Sequence, residues 1–132
     1  MDANRTTRNR LILGSASERR KHILEELGAA FEVLVPDTEE LTYEDDPSRT
    51  VLENAILKNR RCVELLAARP AAGEAYVLTA DTVVSFEGRC VGKPASLAEA
   101  AVFLRRFSGK PQAVFTGVAL SRNGGATETA VV

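Results

Sequence analysis

Residues 11–20, LILGSASERR, determine how the rest of the chain is interpreted. The apolar run 11–13 predicts a short β-strand, and Ser17 is a favourable N-cap for the helix that follows. A strand that enters a helix through small residues directs free backbone N–H groups and the positive end of the helix dipole at one point. Arg19 and Arg20 add guanidinium groups, which bind phosphates well. The stretch therefore favours an anion site, with a solvated basic first turn as the simpler alternative.

Outward from this stretch, strand-like and helix-like segments alternate along the chain. Strand patterns cover residues 11–13, 31–35, 76–80, 83–86, 89–91, 112–121 and 126–132, and helical patterns cover 17–28, 47–68 and 96–109. Such alternation predicts an α/β fold, a mixed β-sheet with flanking helices. Residues 1–10 are predicted to be a flexible polar N-terminus, and 11–132 a single domain.

The predicted helices have apolar faces that leave some residues unexplained. In the first helix, Ile23, Leu24 and Leu27 are predicted to face the core. In the second, the stripe at 100° per residue consists of Val51, Leu52, Ala55, Ile56, Cys62, Val63 and Leu66. Lys58 lies at the edge of this stripe, where a lysine either extends into solvent or meets an anion. Asn59 lies nearer its centre, and no role is predicted for it.

Asp81 lies in the middle of the β-branched, apolar run 78–84. A carboxylate there is costly if it is buried and unpaired. Either the strand breaks at Asp81 and Thr82, or Asp81 serves a cation, a metal or a proton. If residues 87–88 form a two-residue turn, Thr82 lies opposite Lys93, one register step from Asp81. The lysine and the carboxylate are then close enough to share a ligand or to form a purely structural ion pair.

An acidic connector, residues 36–46, follows the second predicted strand. Glu39 and Glu40 come just after the end of that strand, although most carboxylates in such a loop are expected to be solvated. His22 has no serine or cysteine partner in the sequence pattern. A nucleophilic triad is therefore not supported.

Composition excludes several classes of function. The chain has 132 residues, 17 basic and 18 acidic, and a net charge of −1. That balance argues against a general nucleic-acid partner, which would need a basic footprint, but a few focused cations suffice for a small anionic ligand. No apolar run approaches the roughly 20 residues of a membrane span. Cys62 and Cys90 form no metal-type pair and are expected to be reduced thiols in a cytoplasmic protein.

In order along the chain, several motifs resemble the Maf-type nucleoside triphosphate pyrophosphatases. They are residues 13–20 (LGSASERR), Leu24, Gly28, Phe31, Glu39, Glu40, 53–58, 80–84 (ADTVV), 92–94 (GKP), 107–110 (FSGK) and 116–118 (TGV). The resemblance implies a fold related to the inosine triphosphate pyrophosphatases, with the nucleotide in a cleft between two lobes. It also implies hydrolysis of a nucleoside triphosphate to monophosphate and pyrophosphate, assisted by a divalent cation, Mg²⁺ or Mn²⁺.

The resemblance also implies roles for individual residues. The residues that it implies for phosphate binding are Ser15, Arg19, Arg20, Lys58 and Lys93. Glu40 and Asp81 match the acidic pair near metal and water, with Asp81 as the proton acceptor. Arg19 and Thr82 match positions that set base preference in the branch acting on dTTP and UTP, whereas the branch that prefers 7-methyl-GTP carries Trp and Gln there.

Three functions from different classes follow as expectations. One is hydrolysis of nucleoside triphosphates, with dTTP and UTP preferred, as house-cleaning of nucleotide pools. The alternative is a non-catalytic nucleotide-binding or regulatory fragment linked to cell division, and a protein-interaction fragment is a third option. The family continues beyond residue 132, so the domain 11–132 is expected to be incomplete at its C-terminus. The expected partner is the nucleotide, with no nucleic acid and no membrane, and a homodimer is left open.

Overall fold

A computed structural model describes residues 10–69, 74–92, 94–122, 125 and 127–132. The strands are β1 (Arg10–Leu13), β2 (Glu32–Val33), β3 (Ala75–Phe86), β4 (Arg89–Val91), β5 (Ala113–Arg122) and β6 (Thr127–Val131). The helices are α1 (Glu18–Glu26), α2 (Pro47–Ala67) and α3 (Leu97–Phe107). Within the described ranges, no helix has both the length and the apolar character needed to cross a membrane. The predicted α/β class is confirmed.

The strands form one mixed sheet in the order β2-β1-β3-β5-β6, with β4 beside the end of β3. β1 pairs in parallel with β2 and β3, whereas β3 pairs antiparallel with β4 and β5, and β5 with β6. The hairpin register is the predicted one, because Phe86 lies opposite Arg89. Glu87 and Gly88 both have positive φ, as a type I′ turn requires. The second predicted turn includes positions 123 and 124, which lie outside the described residues.

Helix α2 packs along one face of the sheet and contributes Val51, Ala55, Cys62 and Leu66 to the buried hydrophobic core. Asp46 caps it, since its Oδ1 accepts the Arg49 N–H at 3.1 Å. A Cβ on Gly117 of β5 would lie 2.4 Å from the Val51 carbonyl oxygen, so only glycine permits this close approach. Burial raises the pKa of the Cys62 thiol to about 11, which makes it a core residue rather than a reactive one. The buried face of the helix consists of Pro47, Thr50, Val51, Asn54, Ala55, Asn59, Cys62 and Leu66.

Asn59 lies at the centre of this buried face, where the sequence pattern offered no role for it. Its Nδ2 donates to the carbonyls of Val77 at 2.9 Å and Ala119 at 3.2 Å, and its Oδ1 accepts from Ser121 Oγ at 2.5 Å. Buried polar groups are tolerated when they are hydrogen-bonded in this way. Asn59 therefore ties α2 to both β3 and β5.

Helix α1 lies on the other face of the sheet and differs from its prediction. Ser17 caps it as predicted, because its Oγ accepts the Arg20 N–H at 3.3 Å, and Gly28 follows with a φ of 76°. However, Ile23 is 49% exposed and Leu27 is 74% exposed, and α1 has no buried residue. The predicted inner stripe is wrong in this respect, because the helix lies over an open cavity rather than against a filled core.

Candidate active site

The candidate site lies where β1 ends and β4 begins along the same edge of β3. β1 pairs with β3 as far as Leu78, and β4 pairs with it from Val84. Among the described residues, those in between have no strand partner on that edge. The turn that leaves β1 stays at this gap, since the Gly14 N–H donates to the Leu78 carbonyl at 2.9 Å. Asp81 and Thr82 occupy the middle of the gap, beside the carboxyl end of β1, where α/β sheets commonly bind ligands.

The turn between β1 and α1, residues 14–17, is fixed by its own polar side chains. Ser15 is 8% exposed, and its Oγ accepts the Ser17 N–H at 3.0 Å. A Cβ on Gly14 would lie 2.7 Å from Cγ2 of Thr79 in β3, so glycine is required for the turn to pack here. The N-terminus of α1 is thus held close to the gap in β3. This arrangement favours the binding of an anion.

Asp81 is almost completely buried, at 7% exposed, on the face of β3 that packs against α2. Its Oδ1 accepts a hydrogen bond from Lys58 Nζ at 3.3 Å, and its Oδ2 accepts one from Asn54 Nδ2 at 3.1 Å. β3 runs unbroken through Asp81, because these two groups offset the cost of burying the carboxylate. Of the two alternatives from the sequence, the strand break is wrong and the carboxylate meets a cation.

Lys58 lies between two carboxylates instead of extending into solvent. Its side chain is 17% exposed, and Nζ lies 3.3 Å from Asp81 Oδ1 and 3.9 Å from Glu40 Oε1. The Ala80 carbonyl oxygen accepts from Nζ at 3.4 Å. Of the two interpretations, extension into solvent is wrong, because the lysine meets the chain's own carboxylates; its contact with a phosphate stays a prediction.

The acidic connector reaches the site because α2 anchors it on both sides of Glu40. Arg61 Nε donates to Asp37 Oδ1 at 3.0 Å, and this hydrogen bond lowers the pKa of that carboxyl. Further along, Thr50 Oγ1 accepts the Tyr43 N–H at 2.9 Å. Glu40 lies between these anchors and keeps a largely exposed side chain at the mouth of the site.

The acidic groups of the site fit a divalent cation. Mg²⁺ is commonly held by one or two carboxylates together with substrate phosphates. Glu40 and Asp81 already share one cation, the ammonium of Lys58, so their oxygens face a common region. In the described part of the chain, no group of three carboxylate, imidazole or thiol side chains is arranged to hold a metal. The other ligands would therefore come from phosphate or water.

The opposite face of β3 carries a second set of polar side chains. Arg20 Nη2 donates to Thr82 Oγ1 at 2.9 Å, and Thr82 Oγ1 lies 3.0 Å from Thr116 Oγ1 in β5. These three residues and Arg19 line a cavity of about 610 Å³. Its apolar lining consists of Leu13, Ile23, Leu24, Leu78, Ala80, Val114 and Val118. Apolar walls with a few polar groups are typical of small-molecule sites.

The predicted site residues therefore form two groups, which meet at the peptide between Asp81 and Thr82. The group near Asp81 lines a cleft of about 190 Å³ and contains Ser15, Glu40 and Lys58. The other group lines the larger cavity and contains Arg19, Arg20 and Thr82. Lys93 lies outside the described residues, so its place beside Asp81 stays a prediction.

Asn54 and Thr116 belong to the site but were not among the predicted residues. Asn54 is 3% exposed and lies one turn before Lys58 on α2. Its i,i+4 spacing from the lysine was a signal available in the sequence. Thr116 lies opposite Thr82 in the pairing of β3 with β5, and only that long-range register reveals it.

Comparison with known sequences places the chain in a family. The profile of the family described as "Maf-like protein" matches residues 10–132. The dTTP/UTP pyrophosphatase of Deinococcus radiodurans is 46% identical over 112 residues, which cover 85% of this chain and 54% of that protein. The dTTP/UTP pyrophosphatase of Thermotoga maritima is 42% identical over 110 residues, which cover 83% of this chain and 52% of that protein. This chain thus spans about half the length of the curated relatives that it matches.

Two solved structures share the fold. The nucleoside-triphosphatase / dITP/XTP pyrophosphatase of Mycobacterium abscessus aligns with a TM-score of 0.51 at 16% identity, covering 93% of this chain and 70% of that one. The Ham1 protein of Staphylococcus aureus aligns with a TM-score of 0.52 at 14% identity, covering 92% and 68%. At these identities the likeness shows the fold alone, and in that respect the predicted fold class, a mixed sheet of the inosine triphosphate pyrophosphatase type, is confirmed. With the profile match from residue 10 to residue 132, the chain belongs to the Maf-like protein family.

Proposed function

We propose that this chain hydrolyses nucleoside triphosphates, with dTTP and UTP preferred, to nucleoside monophosphate and pyrophosphate. The observation that carries the proposal is the buried carboxylate of Asp81, bonded to Lys58 and Asn54 at an open edge of the sheet. A buried carboxylate with specific charge partners in a cleft is a candidate for chemistry. The relatives' name, dTTP/UTP pyrophosphatase, supports the substrate class.

The triphosphate is proposed to lie across the turn 14–17 and the peptide that follows Asp81. Guanidinium groups bind phosphate oxygens with two parallel hydrogen bonds, which suits Arg19 and Arg20 at one end of the site. Lys58 offers an ammonium at the other end, and Ser15 offers a hydroxyl that can still donate its own proton. The fifth phosphate-binding residue of the proposal is Lys93.

Asp81 is proposed to accept the proton of the attacking water. The water oxygen bonds to the phosphorus nearest the sugar, and the bond from that phosphorus to the bridging oxygen breaks. Pyrophosphate leaves with the bridging oxygen, and the proton of the water passes to the Asp81 carboxylate. A divalent cation, Mg²⁺ or Mn²⁺, held by Glu40 and Asp81 would supply neutralisation of the phosphate charge.

Base preference is assigned to the larger cavity. Arg19 and Thr82 line it, and its other walls are mainly apolar, which suits the faces of a base. The hydroxyl of Thr82 is already oriented by Arg20 and Thr116, so its hydrogen-bonding capacity toward a base is restricted. We propose that this restriction contributes to the preference for dTTP and UTP.

The proposed setting is the cytoplasmic nucleotide pool, where the reaction serves as house-cleaning. The proposal assigns the reaction to the domain formed by residues 11–132. Its partner is the nucleotide alone, with no nucleic acid and no membrane, and a homodimer is compatible with it.

Pyrophosphate release by the purified chain with Mg²⁺ or Mn²⁺ tests the proposal, with the Deinococcus radiodurans relative as the positive control. We expect faster release from dTTP and UTP than from ATP and GTP. Equal rates on all four nucleotides would contradict the proposed preference. Nucleotide binding without pyrophosphate release would favour the alternative, a non-catalytic nucleotide-binding fragment.

A further inference from the structure

Asn54 contacts the acidic connector and the Asp81 carboxylate at the same time. Its Oδ1 accepts the Leu41 N–H at 2.8 Å, and its Nδ2 donates to the Leu41 carbonyl at 2.8 Å. Nδ2 also donates to Asp81 Oδ2 at 3.1 Å. An amide nitrogen carries two protons, so both donors of this side chain are used.

These bonds fix the orientation of the amide. The Leu41 N–H needs an acceptor, so Oδ1 has to face the connector, and the nitrogen then has to face Asp81. The donated proton holds Oδ2 of the carboxylate in place while Oδ1 faces Lys58. Because Leu41 directly follows Glu40 in the chain, the same side chain also fixes the backbone that carries the second carboxylate.

We propose that Asn54 is a positioning residue for the divalent cation: it holds Glu40 and Asp81 where both reach one ion. This inference rests on the proposed function for the identity of the two carboxylate ligands. Side chains that orient metal ligands without touching the metal typically change metal affinity by about 10- to 100-fold. Asn54 is placed to act in this way because it is 3% exposed and bonds both to Asp81 and to the backbone of Leu41, the residue after Glu40.

Asn59 provides a matched control on the same helix. It is also buried, at 2% exposed, and its amide also donates to backbone carbonyls, in this case those of Val77 and Ala119 in the sheet. Its third partner is the hydroxyl of Ser121 rather than a carboxylate. A change at Asn59 therefore removes a comparable amount of structure without touching Glu40 or Asp81.

The test compares the Mn²⁺ affinity of the unchanged full chain with that of variants at Asn54 and Asn59. Affinity is measured in the absence of nucleotide, by electron paramagnetic resonance of free Mn²⁺. Asn54 and Asn59 are each changed to Leu and to Ser, so that a variant that fails to fold has a replacement. We expect both Asn54 variants to bind Mn²⁺ about 10- to 100-fold more weakly, and the Asn59 variants to bind it as the unchanged chain does. Thermal unfolding is followed for all four variants, and both sites are expected to lose stability.

A second readout separates positioning from a loss of structure. At saturating Mn²⁺, kcat for dTTP is expected to fall in the Asn54 variants while KM for dTTP is unchanged, because the phosphates are bound by other residues. A folded Asn54 variant with unchanged Mn²⁺ affinity would overturn the inference, as would an equal loss in the Asn59 variants. Failure of both Asn54 variants to fold, with the Asn59 variants folded, would also overturn it.

The inference and the proposed hydrolysis fail in different ways. Mn²⁺ affinity that depends on Asn54, in a chain that releases no pyrophosphate, would support the inference and contradict the hydrolysis. An unchanged chain that releases pyrophosphate but binds no Mn²⁺ would overturn the inference and leave the hydrolysis standing.

Discussion

The two faces of β3 differ sharply at the peptide between Asp81 and Thr82. On the α2 face, Asp81 is buried and bonded to Asn54 and Lys58. On the other face, Thr82 is exposed and borders an open cavity, with Arg20 as its contact from α1. The groups proposed for proton transfer are thus held by the core, which favours the preorganisation that chemistry requires. Thr82, which is proposed to contribute to base preference, is held only by exposed hydrogen bonds with Arg20 and Thr116.

The helices explain this difference. Eight residues of α2 are buried, whereas α1 and α3 have none among the described residues. A packed helix fixes the rotamers of the polar side chains that it carries, because neighbouring atoms leave no alternative space. A helix over a cavity leaves its side chains free to reorient. We therefore expect changes on the α2 face to affect the rate of the reaction, and changes on the other face to affect which nucleotide is used.

The largest effect is expected for Asp81→Asn. Turnover is expected to fall by a factor of about 10²–10⁴, as loss of a general base typically does. Stability should also fall, by about 1–3 kcal/mol, because the largely buried Lys58 ammonium loses the carboxylate that accepts its hydrogen bond. Pyrophosphate release and thermal unfolding are measured together, with Asp45→Asn, an exposed ion-paired carboxylate on the connector, as the control. A variant that melts much earlier yet keeps its specific activity would show that Asp81 is structural.

Lys58→Met is expected to have opposite effects on turnover and on metal binding. Loss of a hydrogen bond to a charged phosphate lowers kcat/KM by about 10- to 100-fold. Mn²⁺ affinity without nucleotide should rise, because the ammonium no longer occupies the space between Glu40 and Asp81. Arg60→Met, at an exposed position on the same helix, is the control. Weaker Mn²⁺ binding in the Lys58 variant would mean that the lysine helps to hold the carboxylates together.

Thr82→Val is expected to change nucleotide preference more than rate. Valine keeps the shape of the side chain but removes the hydroxyl that Arg20 and Thr116 contact. The ratio of kcat/KM for dTTP to that for ATP should fall about fivefold, which corresponds to the ~1 kcal/mol of a typical hydrogen bond. Thr129→Val, in exposed β6, is the control. An unchanged ratio with a large loss of kcat would place Thr82 in the reaction rather than in recognition.

Local chemistry allowed much of the fold to be predicted. Ser17, the predicted N-cap of α1, bonds to the first turn of its helix, and such a contact spans only three residues. The hairpin at residues 87–88 fixed the register of its strands in the same way. Helix caps and tight turns are formed by residues that are close together in the chain. Their residue types can therefore be read directly from the sequence.

The polar interior of the site was harder to predict because its partners are distant in sequence. Asn54 and Asn59 interrupt the apolar stripe of α2, and their partners lie on the connector and on β3 and β5. Without those partners a buried asparagine has no evident role. The prediction for Leu27 was wrong in the opposite sense, since an apolar residue predicted to be buried is exposed. The described part of the chain supplies no surface that covers it.

The smallest effect is expected for Leu27→Ala, which tests whether the two faces differ in packing. Leu27 is 74% exposed, so the change in the free energy of unfolding should be within about 0.5 kcal/mol, as for other surface substitutions. Leu66 on α2 is 1% exposed, and Leu66→Ala should cost about 2–5 kcal/mol because it leaves a cavity in the core. Chemical denaturation of both variants provides the comparison. A cost at Leu27 as large as that at Leu66 would show that α1 is as firmly packed as α2, and the distinction between a preorganised face and an open face would then be wrong.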